Sequence, residues 1–120
     1  MSSATFLPDY FEQLDEGRDI MPMLAPDFTF ALLWSTPEGA REFAGGFDEW
    51  AGYMAQRNPD GQLHHISHST RKGNTELVTG WTTRHGEPLG TFMFATELDD
   101  EGRARRLFAA RTESFGGVPF

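Results

Sequence analysis

The chain has 120 residues, no cysteine, 38% apolar and 13% aromatic residues, and a formal net charge of −8. That length holds one core of about 100 to 200 residues, and the missing cysteine excludes a disulfide framework, a thiolate nucleophile and Cys-ligated zinc or iron–sulfur centres. Residues 1–60 carry eleven acids against three bases and residues 61–120 seven of each, which disfavours nucleic acid as a partner because a duplex is met by a basic stripe.

From Thr5 to Glu16 the apolar residues Phe6, Leu7, Tyr10, Phe11 and Leu14 recur at steps of three and four, the period of a half-buried helix closed by Gly17. Asp19 offers an N-cap to a short second helix carrying Ile20, Met23 and Leu24, which Pro26 stops. Phe28 to Trp34 has strand propensity and runs into the turn residues Thr36-Pro37-Glu38-Gly39. A third helix is predicted from about Ala40 to Gln56, where Phe43, Phe47, Trp50 and Met54 make an aromatic stripe. Gly45 and Gly46 inside it each cost about 1 kcal/mol in helix propensity, which signals a bend or a close backbone approach.

After Asn58 the punctuation has hairpin spacing. Asn58-Pro59-Asp60-Gly61, Lys72-Gly73-Asn74, His85-Gly86-Glu87-Pro88 and Asp99-Asp100-Glu101-Gly102 separate four predicted antiparallel strands, roughly 62–70, 75–84, 89–98 and 103–114. In the third of these Phe92, Phe94 and Leu98 point one way and Leu89, Met93 and Ala95 the other, so both faces are apolar. Helices would cover one face and a second copy part of the other, which predicts a homodimer. Arg103, Arg105, Arg106 and Arg111 alternate with apolar residues and read as a solvated strand face. The longest apolar run, Phe30 to Trp34, is far short of the roughly 20 residues of a membrane span. No basic stretch followed by an apolar one opens the chain, so a cytoplasmic protein of one domain, 1–120, with no membrane partner is expected.

Helices followed by a meander define an α+β class. Within it, Tyr10-Phe11-Glu12-Gln13-Leu14-Asp15-Glu16-Gly17, continued by Met23-Leu24-Ala25-Pro26-Asp27-Phe28-Thr29-Phe30, resembles the opening of SnoaL-like and ketosteroid-isomerase-like proteins of the nuclear-transport-factor-2-like superfamily. Glu97-Leu98-Asp99-Asp100-Glu101-Gly102-Arg103 resembles that family's last hairpin. The resemblance implies three N-terminal helices on the concave face of a strongly curved antiparallel sheet, a cystatin-like cone around a pocket, with dimerisation through the outer sheet face. Function does not follow from the fold, which hosts isomerases, cyclases, dehydratases and non-catalytic binders.

Carried over residue by residue, the resemblance puts Tyr10 in the place of an oxyanion donor. The general base and the protonated Asp of ketosteroid isomerases fall on Leu32 and Thr91, which disfavours that activity because neither takes part in proton transfer. A pocket histidine of SnoaL-like relatives matches His65 best, and a neutral imidazole both accepts and donates protons near neutral pH. The competing reading makes His65 a structural histidine and Tyr10 a pocket wall. A metal site is not expected: in a strand His64 and His68 lie about 13 Å apart and His65 faces the other way. Trp34, Phe47, Trp50, Trp81 and Phe92 are the candidate ligand-contacting aromatics. No phosphate loop, nucleophile elbow or HExxH motif is present. The expectation is therefore cofactor-free acid–base chemistry by His65 and Tyr10 on an apolar cyclic or aromatic substrate. The alternative is a non-catalytic module that binds a hydrophobic ligand or a partner copy.

Overall fold

The predicted first helix forms as α1, Phe6–Asp15, with Leu7, Tyr10, Phe11 and Leu14 buried. The computed structural model describes residues 2–113. The predicted second helix is only a 3-10 turn, Met21–Met23, held by the Asp19 carboxylate, which accepts the Met21 N–H at 3.0 Å. Strand β1, Leu24–Thr36, leads through a hairpin into β2, Gly39–Gly46, and α2, Phe47–Gln56, follows at once. Strands β3, Gln62–Lys72, β4, Thr75–Arg84, β5, Glu87–Leu98, and β6, Ala104–Thr112, complete the chain.

The expected third helix over 40–56 is thus corrected in its first half. Residues 39–46 pair with β1, and Arg41, Phe43 and Gly45 lie opposite Trp34, Leu32 and Phe30. Gly46 caps α2, its N–H donating to Glu49 Oε1 at 3.0 Å, and a Cβ at Gly45 would meet the Glu49 side chain at 2.7 Å. The glycine pair therefore marks a strand-to-helix junction rather than a bend within a helix.

The sheet order is β2-β1-β6-β5-β4-β3, with every neighbouring pair antiparallel except β1 and β6, which run parallel. It is consequently a mixed sheet, not a purely antiparallel one, and it is not strongly curled into a cone. Both helices pack on one face, where Phe11, Phe28, Phe30, Leu32, Trp50, Val78, Phe92 and Phe94 form the core. The opposite face leaves Leu33, Leu77, Met93 and Phe108 between 41% and 46% exposed. Among the described residues no helix is long and apolar enough to cross a membrane.

Two features of β4 set its packing, one against α1 and one against β3. The Glu76 side chain, fully buried on β4, accepts the N–H groups of Thr5, Phe6 and Leu7 at 2.9 Å each, satisfying the orphan donors that open α1. Gly80, in the same strand, lies where a Cβ would overlap the His65 carbonyl oxygen, and the β3–β4 register shifts between Ile66 and His68. Such a bulge re-aims the side chains around it.

Candidate functional site

Strand alternation decides which histidine faces the helices. His64 does: its ring stacks on Phe11 of α1 at 4.6 Å and meets the edge of Phe92 at 5.5 Å. His65, expected inside, is on the other face, stacked at 5.0 Å on Trp81 with Nε2 2.8 Å from Thr83 Oγ1. The pairing of His65 with Tyr10 across a pocket is therefore corrected, and Trp81 leaves the set of pocket aromatics with it.

His64 is tied at two points to the last residue of α1. Its Nδ1 lies 2.6 Å from Asp15 Oδ1, and its backbone N–H donates to Asp15 Oδ2 at 2.7 Å. An ionised carboxylate only accepts, so Nδ1 carries the proton and Nε2 is left as the basic nitrogen. Both side chains are nearly buried, at 5% and 11% exposure. Burial pushes the His64 pKa below the usual imidazole value, Arg57 and Arg111 act in the same direction, and Asp15 opposes them.

Arg57, which caps α2, connects this dyad to a hollow. Its guanidinium donates to Gln62 Oε1 at 3.2 Å, and Gln62 precedes His64 by two residues on the same strand face. Burial lowers the Arg57 pKa, Asp15, Tyr10 and Tyr53 raise it, and Arg111 lowers it further. The hollow, about 470 Å³, lies between α2 and the sheet, and its lining includes Trp34, Phe43, Tyr53, Gln62, Glu113 and four guanidinium groups. That volume suits a drug-sized organic molecule. A larger hollow of about 780 Å³, which includes Phe47, Asp19, Asp27, Asp48 and Glu49, is a cleft open to solvent. Neither lining includes His64 or Asp15, and only the smaller hollow reaches toward them, through Gln62 and Arg57.

Tyr10 is buried beside this site. Burial pushes its phenol far above the ordinary value while the Trp50 indole and Arg57 pull against that shift, so it stays a neutral O–H donor. The Tyr10 hydroxyl, Trp34 Nε1 and Trp50 Nε1 are buried without a well-formed hydrogen bond among the described residues, although the Trp50 indole lies near enough to the Tyr10 oxygen to lower its pKa. Buried donors without acceptors are rare enough to call for a reason. Of the expected aromatics, Trp34 lines the hollow and Phe92 touches the His64 ring. Trp50 packs on Phe30 and Tyr53, and Phe47 belongs to the open cleft. Asp15 and Arg57 are the members that sequence reasoning passed over, and His64, expected on the outer face as a surface or dimer-contact residue, is corrected to the inner one. Leu32 is buried core and Thr91 lies opposite Trp81, so neither supplies a carboxylate.

No family model matches the chain, and no curated protein matches it. Solved structures do. A protein from Kribbella flavida DSM 17836, provisionally described as a ketosteroid isomerase, superposes with a TM-score of 0.66 at 15% identity, over 96% of this chain and 81% of that one. A protein from Streptomyces antibioticus, provisionally described as a polyketide cyclase, gives 0.67 at 14% identity over 88% of both chains. A SnoaL-like protein from Agrobacterium tumefaciens strain C58, provisionally described as an isomerase, gives 0.61 at 16% identity over 88% of this chain and 93% of that one. The chain therefore has the SnoaL-like, nuclear-transport-factor-2-like fold.

Proposed function

We propose that this protein is an acid–base enzyme of the isomerase, cyclase or dehydratase kind that works without a cofactor on an apolar cyclic or aromatic substrate. The observation that carries the reading is the nearly buried His64–Asp15 pair at 2.6 Å, two residues along β3 from Gln62 in the wall of the hollow. His64 Nε2 takes a proton from the substrate and returns it elsewhere. Asp15 is a positioning residue that fixes the tautomer and offsets the charge the ring gains. The Tyr10 O–H, with no acceptor among the described residues, suits the negative charge that develops on a carbonyl oxygen as the proton leaves, with the Trp50 indole beside the phenol oxygen. Trp34, Phe43 and Tyr53 give the ring its apolar wall. The provisional descriptions of the isomerase and cyclase neighbours agree with this kind of chemistry.

The test is deuterium incorporation. A panel of cyclic ketones, 1,3-diketones and aryl ketones is incubated with the protein in heavy water, and exchange at the carbon next to the carbonyl is followed by NMR. Catalysed exchange that His64→Gln abolishes is expected. Exchange at the buffer rate for every compound, or exchange indifferent to His64→Gln, would leave only the binding-module reading.

We infer further that two copies associate through the outer sheet face. Leu33, Ala110, Met93 and Thr79 lie in one row across β1, β6, β5 and β4, and Ala31, Phe108, Ala95 and Leu77 form the next. A continuous apolar surface of this kind supports burial against a partner.

A further inference from the structure

Four of the ten cationic side chains in a chain of net charge −8 line the hollow whose wall holds Gln62, two residues from His64: Arg41, Arg57, Arg84 and Arg111. Among the described residues Glu113 is the sole carboxylate in that lining. None of the four arginines forms an ion pair with a carboxylate among the described residues, although all five other arginines do. The arrangement is ordered. Arg111 of β6, Trp34 of β1 and Arg41 of β2 are direct cross-strand neighbours on the inner face, and the Arg111 guanidinium sits 5.5 Å from the centre of the Trp34 ring. Arg84 is fixed by donating to the carbonyl oxygens of Asp60 and Asn58 at 2.9 and 3.1 Å, and Arg57 by Gln62. Two guanidinium groups are thus anchored in the wall, and two flank an aromatic plate with their donors unspent on protein carboxylates.

Like charges gathered in a partly closed hollow repel one another, and the fold retains them at a cost unless an anion occupies the site. Guanidinium forks match a carboxylate in plane and spacing better than any neutral group does. We propose that the substrate is a ring-bearing organic carboxylate, its acidic group held between Arg41 and Arg111 and its ring laid against Trp34, with the reacting carbon turned toward His64. This deepens the acid–base reading and rests on it for the word substrate. It also gives the wall of arginines a second task, because the enolate formed by proton removal would develop its charge beside Arg57.

The test compares two pairs of isosteric probes, benzoate with benzamide and 2-naphthoate with 2-naphthamide, by calorimetry and saturation-transfer NMR on the full chain. At least one carboxylate should bind about 10-fold or more tightly than its amide, as charge-assisted bonds are stronger than neutral ones. Raising the salt should reduce the preference. Arg41→Gln, on an exposed edge strand, and Arg111→Gln should each erase most of it. Arg106→Gln, which alters the net charge equally but lies on the outer face, should preserve it. No carboxylate preference in either pair, including no binding at all, overturns the proposal, as does inorganic phosphate binding as well as 2-naphthoate, since the ring would then contribute nothing. Thermal melts show whether Arg111→Gln folds, and Arg41→Gln decides alone if it does not. His64→Gln separates the two claims: it stops deuterium exchange if the acid–base reading holds, whereas the probe preference depends on the arginines.

Discussion

Asp15 grips His64 twice, accepting the ring Nδ1–H through one carboxylate oxygen at 2.6 Å and the backbone N–H through the other at 2.7 Å. A helix C-terminus is thereby locked to a strand start, and the ring cannot rotate without giving up its partner. Asp15→Asn keeps the shape but can present an N–H where an acceptor is needed, so the tautomer should become mixed. Long-range nitrogen–proton NMR is expected to show the Nδ1–H form alone in the parent protein and both forms in the variant. Exchange activity should fall by about 100-fold or more, in the range of lost acid–base positioning.

The pH dependence has a definite sign. Burial, helped by Arg57 and Arg111 and opposed by Asp15, lowers the folded His64 value beneath the ordinary figure of about 6.5. Between those two values the unfolded chain binds a proton that the folded chain does not, so this group's contribution is fully present above about 6.5 and is lost as pH falls through the folded value. Urea midpoints of the parent and of His64→Gln, measured near pH 7.5 and near pH 5, should converge at the lower pH. A difference that widens on acidification would contradict the shift.

Glu76 should be among the most sensitive positions in the fold. Removing its carboxylate strands three amide donors at the start of α1, that of Leu7 buried and those of Thr5 and Phe6 partly so. Glu76→Ala is expected to cost about 2–4 kcal/mol in urea unfolding. Its ion-pair partner Arg71, 3.3 Å away with a third of the side chain exposed, should matter much less, with Arg71→Met costing under about 1 kcal/mol.

The hairpins were legible because turn residues mark them: β3, β4 and β5 start and stop, and β6 starts, within about two residues of the glycine-bearing clusters. The strand β2 was not, because Phe43, Phe47, Trp50 and Met54 satisfy a helical period by chance across a junction where two different elements meet. The inner face of β3 was hidden for another reason. Leu63 and Ile66 are both apolar but lie on opposite parities, with Leu63 48% exposed and Ile66 packed on the core, so alternation alone does not say whether His64 or His65 turns inward. The partners of His64 were hidden by distance along the chain: Asp15 is 49 residues away. No local pattern reports a contact of that range.

The outer face offers a clean test of association. Light scattering at micromolar concentration is expected to return the mass of a dimer for the parent protein, and Met93→Glu combined with Phe108→Glu, both about 45% exposed, should return a monomer with an unchanged far-ultraviolet spectrum. Exposed sites of that kind carry little folding energy, so the variant separates association from stability. A parent protein that scatters as a monomer would end the dimer reading.

Gly80 links the sheet to the chemistry. An added Cβ would overlap the backbone oxygen of His65 and approach the Phe92 ring to 2.7 Å, and Phe92 is one wall of the His64 ring. Backbone cannot yield as a flexible side-chain tip can, so Gly80→Ala must push β3 away from β4 at the bulge, at an expected cost of about 2–4 kcal/mol. Because His64 is two residues from that point on the same strand face, the displacement should lengthen its bond to Asp15. The nitrogen NMR signature of Gly80→Ala should then move toward that of Asp15→Asn. A variant that loses stability while keeping the Nδ1–H signature would show that the bulge serves the fold alone; one that loses neither would mean that β3 and β4 are less closely apposed at Gly80 than the geometry requires.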